Sequence, residues 1–173
     1  MEIRPLKIII RREKPEGIAS IYDVTVAAFL EAPHTGHTEQ FIVAALRNSK
    51  ALTVSLVAEN AGEIVGHVAL SPVTISDGAS HWYGLGPISV LPKEQGKGIG
   101  SLLMGKAIAE LKGLKANGCV LLGDPNYYHR FGFEPINELV LPDVPPEYFQ
   151  ALLIQGAYPQ GSVAYHDAFS AQR

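Results

Sequence analysis

Between Gly84 and Lys112 the chain reads GLGPISVLPKEQGKGIGSLLMGKAIAELK, an apolar extended run, glycines at 96, 98 and 100, and then a long helical pattern. Glycine costs a helix stability, so three of them at its threshold need a physical reason. A strand, a glycine-rich turn and a helix N-terminus leave backbone N–H groups converging on one point, where the helix dipole favours negative charge. Phosphate is the usual guest, and spacing separates the readings. A P-loop needs Gly-x-x-x-x-Gly-Lys-Ser/Thr, but Gly96-Lys97 runs into Gly98 and Gly105-Lys106 into Ala107. The dinucleotide fingerprint needs Gly-x-Gly-x-x-Gly, whereas this loop is Gly-x-Gly-x-Gly. A third pattern, Gln/Arg-x-x-Gly-x-Gly/Ala, is met by Gln95, Gly98 and Gly100.

The rest of the chain suits a single domain over residues 1–173. Its 47% hydrophobic and 18% charged residues fit a folded chain with a proper core. No apolar run approaches the roughly 20 residues of a membrane span, and MEIRPLKIIIRREK reads as an early strand, not a signal peptide. The single cysteine, Cys119, lies in the apolar run CVLL and reads as a buried structural residue in a reducing cytoplasm. A net charge of −3 leaves no global footprint for nucleic acid or an acidic membrane. Arg11, Arg12 and Lys14 form either a local basic patch or, as is commoner for such a run, a solvated strand end.

Periodicity predicts a strand at 6–12, helices at 15–30 and about 38–48, and strands at 52–59 and 63–75 joined through Asn60-Ala61-Gly62. A strand at 81–91 follows, with a bulge expected at Gly86-Pro87 because Pro87 cannot donate to a ladder. The glycine loop then leads to a helix ending near 113, with Ile99, Leu103, Ala107, Leu111 and Leu114 on one stripe. Residues 118–123 read as a short, fully buried strand and PNYYHRF as a short helix stopped by Gly132. FEPI reads as a further extended segment, and strands follow near 149–155 and 161–166. The tail SVAYHDAF either finishes the sheet or pairs across a dimer edge. The expected fold class is α/β (α+β), with a mixed sheet flanked by helices.

GLGPISVLPKEQGKGIGSLL, GDPNYYHRFGFEP about two dozen residues later and VAENAGEIVGHVALSPVTI before them together resemble the GNAT superfamily of acetyl-CoA-dependent N-acetyltransferases, its YhbS-like branch in particular. The resemblance covers most of the chain. It implies a mostly antiparallel sheet of about seven strands and about four helices, with a parallel pair that splays after the central strand. It also implies acetyl-CoA as cosubstrate, with its pyrophosphate on Gln95, Gly96, Lys97, Gly98, Ile99, Gly100 and Ser101. The pantetheine arm would pair along Ile88, Ser89 and Val90, and an N–H near Ile88 would polarise the thioester carbonyl. Tyr128 takes the place of a general acid for the departing thiolate, and Asn126 either bonds the pantetheine arm or caps the short helix. For Tyr127 packing is the expectation; for Arg130, a phosphate contact or a surface salt bridge.

No base is evident. Histone-directed relatives carry a glutamate where this chain has Gly84, leaving Glu59, His67 and His81 as candidates acting through water. His67, inside an apolar strand, also reads as a core histidine. His34, His37 and Glu39 are a weak metal pattern, and no metal is expected; their loop better fits acceptor binding. The implied activity is direct acetyl transfer to an amine by a monomer or homodimer, with no nucleic-acid or membrane partner. The rival is a non-catalytic module that binds or senses acetyl-CoA.

Overall fold

The computed structural model describes residues 7–33 and 35–173. Leu6 of the first predicted strand and His34 of the metal pattern lie outside them. The elements run β1 (Ile8–Arg12), α1 (Ile18–Phe29), α2 (Glu39–Asn48), β2 (Val54–Asn60), β3 (Glu63–Ile75), β4 (Trp82–Val90), α3 (Ile99–Gly113), β5 (Gly118–Leu122), α4 (Pro125–Tyr128), β6 (Leu139–Val140), β7 (Phe149–Leu153) and β8 (Gly161–Tyr165). The main path is β1-β2-β3-β4-β5-β7, with β8 on the far end of β3 and β6 beside β8. Every pairing is antiparallel except β4 with β5 and β6 with β8.

Local chemistry explains most of these boundaries. The β2–β3 turn needs two consecutive residues with positive φ, and Ala61 (51°) and Gly62 (86°) supply them. Pro15–Gly17 form a short 3-10 turn, so α1 starts at Ile18 rather than at 15. The tail strand finishes the sheet within the chain by pairing with Val73–Ile75. One strand lies outside the pattern read from sequence. β6 is two residues long, too short to show alternation, and makes the sheet eight-stranded rather than about seven.

Residues alternate between two covered faces of the sheet. On one, Val68 and Leu70 of β3 pack with Ile99, Leu103, Met104, Ala107 and Leu111 of α3. Met104 thus joins the expected stripe, while Leu114 lies beyond the last helical turn and is 42% exposed. On the other, Val57 meets Ile21 of α1 and Val43 of α2. A further cluster around Trp82, Phe149 and Val163 closes the end of the sheet near β8. The strand at 118–122 is buried except at its tip, where Leu122 is 47% exposed. Arg12 and Lys14 are exposed, as a solvated strand end should be, with Arg12 2.6 Å from Glu110, whereas Arg11 is half-buried and pairs with Glu59 at 2.9 Å.

The face beneath α1 and α2 also holds polar groups. His67 is fully buried, with its Nε2 2.7 Å from Ser55 Oγ. Ser55 also bonds Glu13, whose carboxylate receives two hydrogen bonds from Arg47 at 2.9 and 3.0 Å. Burial raises the Glu13 pKa, but the bonds from Arg47 and Ser55 outweigh it and hold the carboxyl below its ordinary value. For His67, burial dominates and lowers the pKa from 6.5 to about 4, with Glu13 opposing and Arg47 reinforcing the shift. The unfolded chain therefore takes up this proton near pH 6.5 and the folded chain only near 4. The stability tied to neutral His67 is complete above that window and is lost as pH falls through it, by an amount on the order of 3 kcal/mol. Thermal unfolding followed from pH 7 to 4.5 should show Tm falling, and His67→Gln should flatten the fall; an unchanged slope would refute the assignment.

Candidate active site

The parallel strands β4 and β5 are bonded through only Trp82↔Gly118, Tyr83↔Cys119 and Gly84↔Val120. Beyond Gly84 they part, because each is held by a different neighbour. β5 follows β7 as far as Leu122↔Phe149, and β4 follows β3 as far as Val90↔Gly66. Where they diverge, Leu70↔Leu85 and Val68↔Ile88 enclose three steps on β4 against two on β3. That is the expected bulge, and it contains the cis Gly86–Pro87 peptide. From Leu85 to Val90 one edge of β4 has no strand beside it among the described residues.

The glycine loop closes one end of this gap. Gln95 donates its side-chain amide to Val90 O at 3.0 Å, tying loop to strand. Gly96 (φ 79°) and Gly98 (φ 84°) are both left-handed, and α3 begins immediately after Gly98. A Cβ on either would meet nothing within 4 Å among the described residues, so these positions need glycine for backbone conformation. At Gly100 the limit is space, since a Cβ would lie 3.0 Å from Tyr127 Oη.

The short α4 forms the facing wall. Asp124 caps it by accepting from Asn126 N–H at 2.9 Å, so the cap is Asp124 and not Asn126. Tyr128 sits against Gly123, where a Cβ would come within 2.3 Å of its ring. Gln150 of β7 holds the Gly123 carbonyl at 3.0 Å. Burial first, then Tyr127 and Asp124, push the Tyr128 pKa from 10 up to about 12, so the hydroxyl stays protonated throughout the neutral range.

These parts enclose a cleft of ≈ 650 Å³. Of the residues singled out in the sequence, Ile88, Ser89, Val90, Gln95, Gly96, Gly98, Ile99, Gly100, Ser101 and Tyr128 line it. Lys97 does not: its ammonium pairs with Glu94 at 3.1 Å. Asn126 is exposed and also lies off the wall. Tyr127 packs as expected, edge-on to Tyr128 and Phe131, but it also lines the cleft. Arg130 lies 4.6 Å above the Tyr127 ring and faces the cleft rather than a surface carboxylate. The i,i+3 spacing of Tyr127 and Arg130 is the sequence signal that joins them on one face.

None of the candidate bases lines the cleft. Glu59 is paired with Arg11, His67 is buried beneath α1 and α2, and His81 lies at the opposite end of β4 from the loop. Position 84 is filled from outside, because a Cβ there would come 2.5 Å from the Tyr165 ring. Cys119 is buried, which raises its thiol pKa and leaves it inert. In the 31–40 loop, the Thr35 hydroxyl and the Thr38 N–H both donate to the Glu39 carboxylate. Among the described residues no three His, Cys, Asp or Glu side chains are grouped to hold a metal ion.

Residues 52–135, which include β4, the loop and α4, match the Acetyltransferase (GNAT) domain. A GNAT family acetyltransferase from Brucella melitensis, solved in complex with acetyl-CoA, is 49% identical, with 94% of this chain and 98% of that one aligned at a TM-score of 0.84. The chain belongs to the GNAT family. Escherichia coli YhbS, solved in complex with CoA, aligns over 98% of this chain and 96% of its own at a TM-score of 0.87 and 30% identity. By sequence alone, the uncharacterized N-acetyltransferase YhbS of Escherichia coli K12 is 34% identical over 110 residues, 63% of this chain and 66% of that protein. The GNAT sheet with its splayed parallel pair is thus the fold found here.

Gly84 offers a direct test of how this cleft is built. Gly84→Ala should destabilise the protein by about 1–3 kcal/mol through overpacking, and Tyr165→Leu in the same chain should recover part of that loss. Additive ΔΔG values in chemical denaturation would show that the ring is not the obstacle.

Proposed function

We propose that this GNAT protein transfers the acetyl group of acetyl-CoA directly to a primary amine. The observation that carries the reading is the convergence on one cleft of bare N-terminal amides of α3, an unpartnered edge of β4 and a buried, protonated tyrosine. Each suits one part of the donor. The amides from Gly96 to Ser101 suit a pyrophosphate, while the Gln95 N–H is already given to Pro92 O at 3.3 Å. The edge at Ile88, Ser89 and Val90 suits the pantetheine amides, which add to it as a strand would. Tyr128 suits the departing sulfur. The complexes of the Brucella protein with acetyl-CoA and of YhbS with CoA support the same assignment.

In this reading the Ile88 N–H polarises the thioester carbonyl and steadies the oxyanion of the tetrahedral adduct. The amine nitrogen forms the new C–N bond, the C–S bond breaks, and Tyr128 protonates the leaving thiolate. No enzyme nucleophile intervenes, consistent with the inert Cys119. Arg130, lacking a carboxylate partner among the described residues, is the added candidate for a phosphate of the donor. The acceptor is a small amine, an amino acid, or a protein N-terminus or lysine. Residues 1–173 are read as one cytoplasmic domain, acting as monomer or homodimer.

An amine panel monitored by thiol release from acetyl-CoA tests activity and acceptor together. With an acceptor in hand, Tyr128→Phe should lower kcat by about 10²-fold with little change in KM for acetyl-CoA; unchanged turnover would remove the acid role. Calorimetry should show tight binding of acetyl-CoA but not of NAD or ATP. Gly98→Glu, which strains a left-handed position and places a like charge at the phosphate cradle, should abolish that binding.

A further inference from the structure

Gln150 of β7 is fully buried. It stands opposite Leu121 of β5 and shares its face, the apolar one beneath α3. Its Nε2 donates to the Gly123 carbonyl at 3.0 Å, while its Oε1, equally buried, has no partner among the described residues. A carbonyl can only accept, so the amide cannot be turned end for end without setting two oxygens against each other. A leucine or methionine would fill this space with no orphaned atom, and a buried acceptor left unpaired is costly. What the glutamine adds is one hydrogen bond to one peptide.

The β5–β7 ladder shows why that peptide needs it. The register Leu122↔Phe149 makes Gly123 and Tyr148 the next pair. Half of that pair forms, with the Gly123 N–H donating to Tyr148 O at 3.0 Å. The other half does not, because the 3-10 turn Pro146–Tyr148 takes the Tyr148 N–H to Pro145 O at 3.1 Å. Gln150 Nε2 supplies the missing donor from two residues along the chain. The Gly123 carbonyl belongs to the peptide that joins Gly123 to Asp124, so this one bond holds both residues. Asp124 caps α4 through the Asn126 N–H, and its own carbonyl accepts from the Tyr127 and Tyr128 N–H groups at 3.0 and 3.1 Å. Gly123 carries the Tyr128 ring, which a Cβ there would meet at 2.3 Å, and both residues line the cleft.

We infer that Gln150 is a positioning residue for acetyl transfer: by fixing the Gly123–Asp124 peptide it sets where the Tyr128 hydroxyl stands in the cleft. The inference rests on the transferase reading, with Tyr128 as the acid. Gln150 does not line the cleft and acts only through Gly123 and Tyr128. Tyr128 is held by packing, edge-on to Tyr127 at a ring-centroid separation of 4.8 Å and against Gly123. A ring held by contact follows its floor, so a shift of the Gly123–Asp124 peptide is passed on to the hydroxyl. The placement of an acid matters where the C–S bond breaks, so the effect falls on turnover rather than on binding of the donor.

Gln150→Leu and Gln150→Met remove the donor and the orphaned oxygen together. Both should keep or raise Tm in thermal unfolding, because the unpaired atom goes and the Gly123 carbonyl, half-buried at the cleft wall, can be hydrated. With an acceptor from the amine panel, each should lower kcat by about tenfold while the acetyl-CoA Kd by calorimetry stays within about twofold. In a Tyr128→Phe background the same substitutions should cost nothing further, because the acid they misplace is already gone. Full kcat in either variant, a Kd weakened as much as kcat, or a loss that multiplies with that of Tyr128→Phe would overturn this inference alone. Loss of the fold in both variants would make Gln150 a core residue and overturn it as well. Unchanged turnover in Tyr128→Phe would remove the acid role and this inference with it. Tight acetyl-CoA binding by a wild-type protein that acetylates no amine would overturn the transferase reading, and this one with it.

Discussion

The architecture depends on the short life of one strand pair. β4 and β5 share three bonded residue pairs and then separate, and the separation is enforced rather than loose. β3 takes β4 one way through a bulge at Gly86-Pro87, while β7 takes β5 the other. Buried backbone groups seldom go without partners, so a strand edge opened in this way is a standing demand for hydrogen bonds. The pantetheine arm of acetyl-CoA has the amides to meet it. The Trp82 ring, packed over Gly118, pins the closed end of the pair.

The helix that follows the glycine loop is costly to start and well anchored afterward. Each glycine costs roughly 0.5–1 kcal/mol relative to alanine within a helix. Fully burying Leu103, Met104 and Leu111 against the sheet is worth about 1.5–3 kcal/mol each, which offsets the weak entry. Gly96 and Gly98 exist for left-handed backbone, whereas Gly100 and Gly123 exist to admit Tyr127 and Tyr128. The two tyrosines thus reach the cleft from α4 because small residues on two other elements leave room for them.

The two faces of the sheet divide the chemistry. The α3 face is apolar and anchors the loop helix. The α1/α2 face carries His67, Ser55 and Glu13 among apolar neighbours, a costly placement that packing alone does not explain. The absence of a side chain at position 84 has a steric cause in the Tyr165 ring, which a Cβ there would meet at 2.5 Å.

Much of this was legible before any coordinates. Alternation and helical period gave the long elements, Ala61-Gly62 the hairpin, Pro87 the bulge, and the glycines at 96 and 98 the left-handed loop that opens α3, because all of these are local. Short β6, the exposed tip at Leu122 and the Asp124 cap fell below what periodicity resolves. The pairing of Lys97 with Glu94 and the Tyr165 ring over Gly84 were equally hidden. The amino-acid sequence by itself determined where the backbone can turn and which stretches bury an apolar face, since each follows from neighbours a few residues apart. Only the tertiary structure decided which polar atoms are satisfied, because partners such as Glu13, Arg47, Ser55 and His67 come from four separate segments that meet only once the sheet and its helices are assembled.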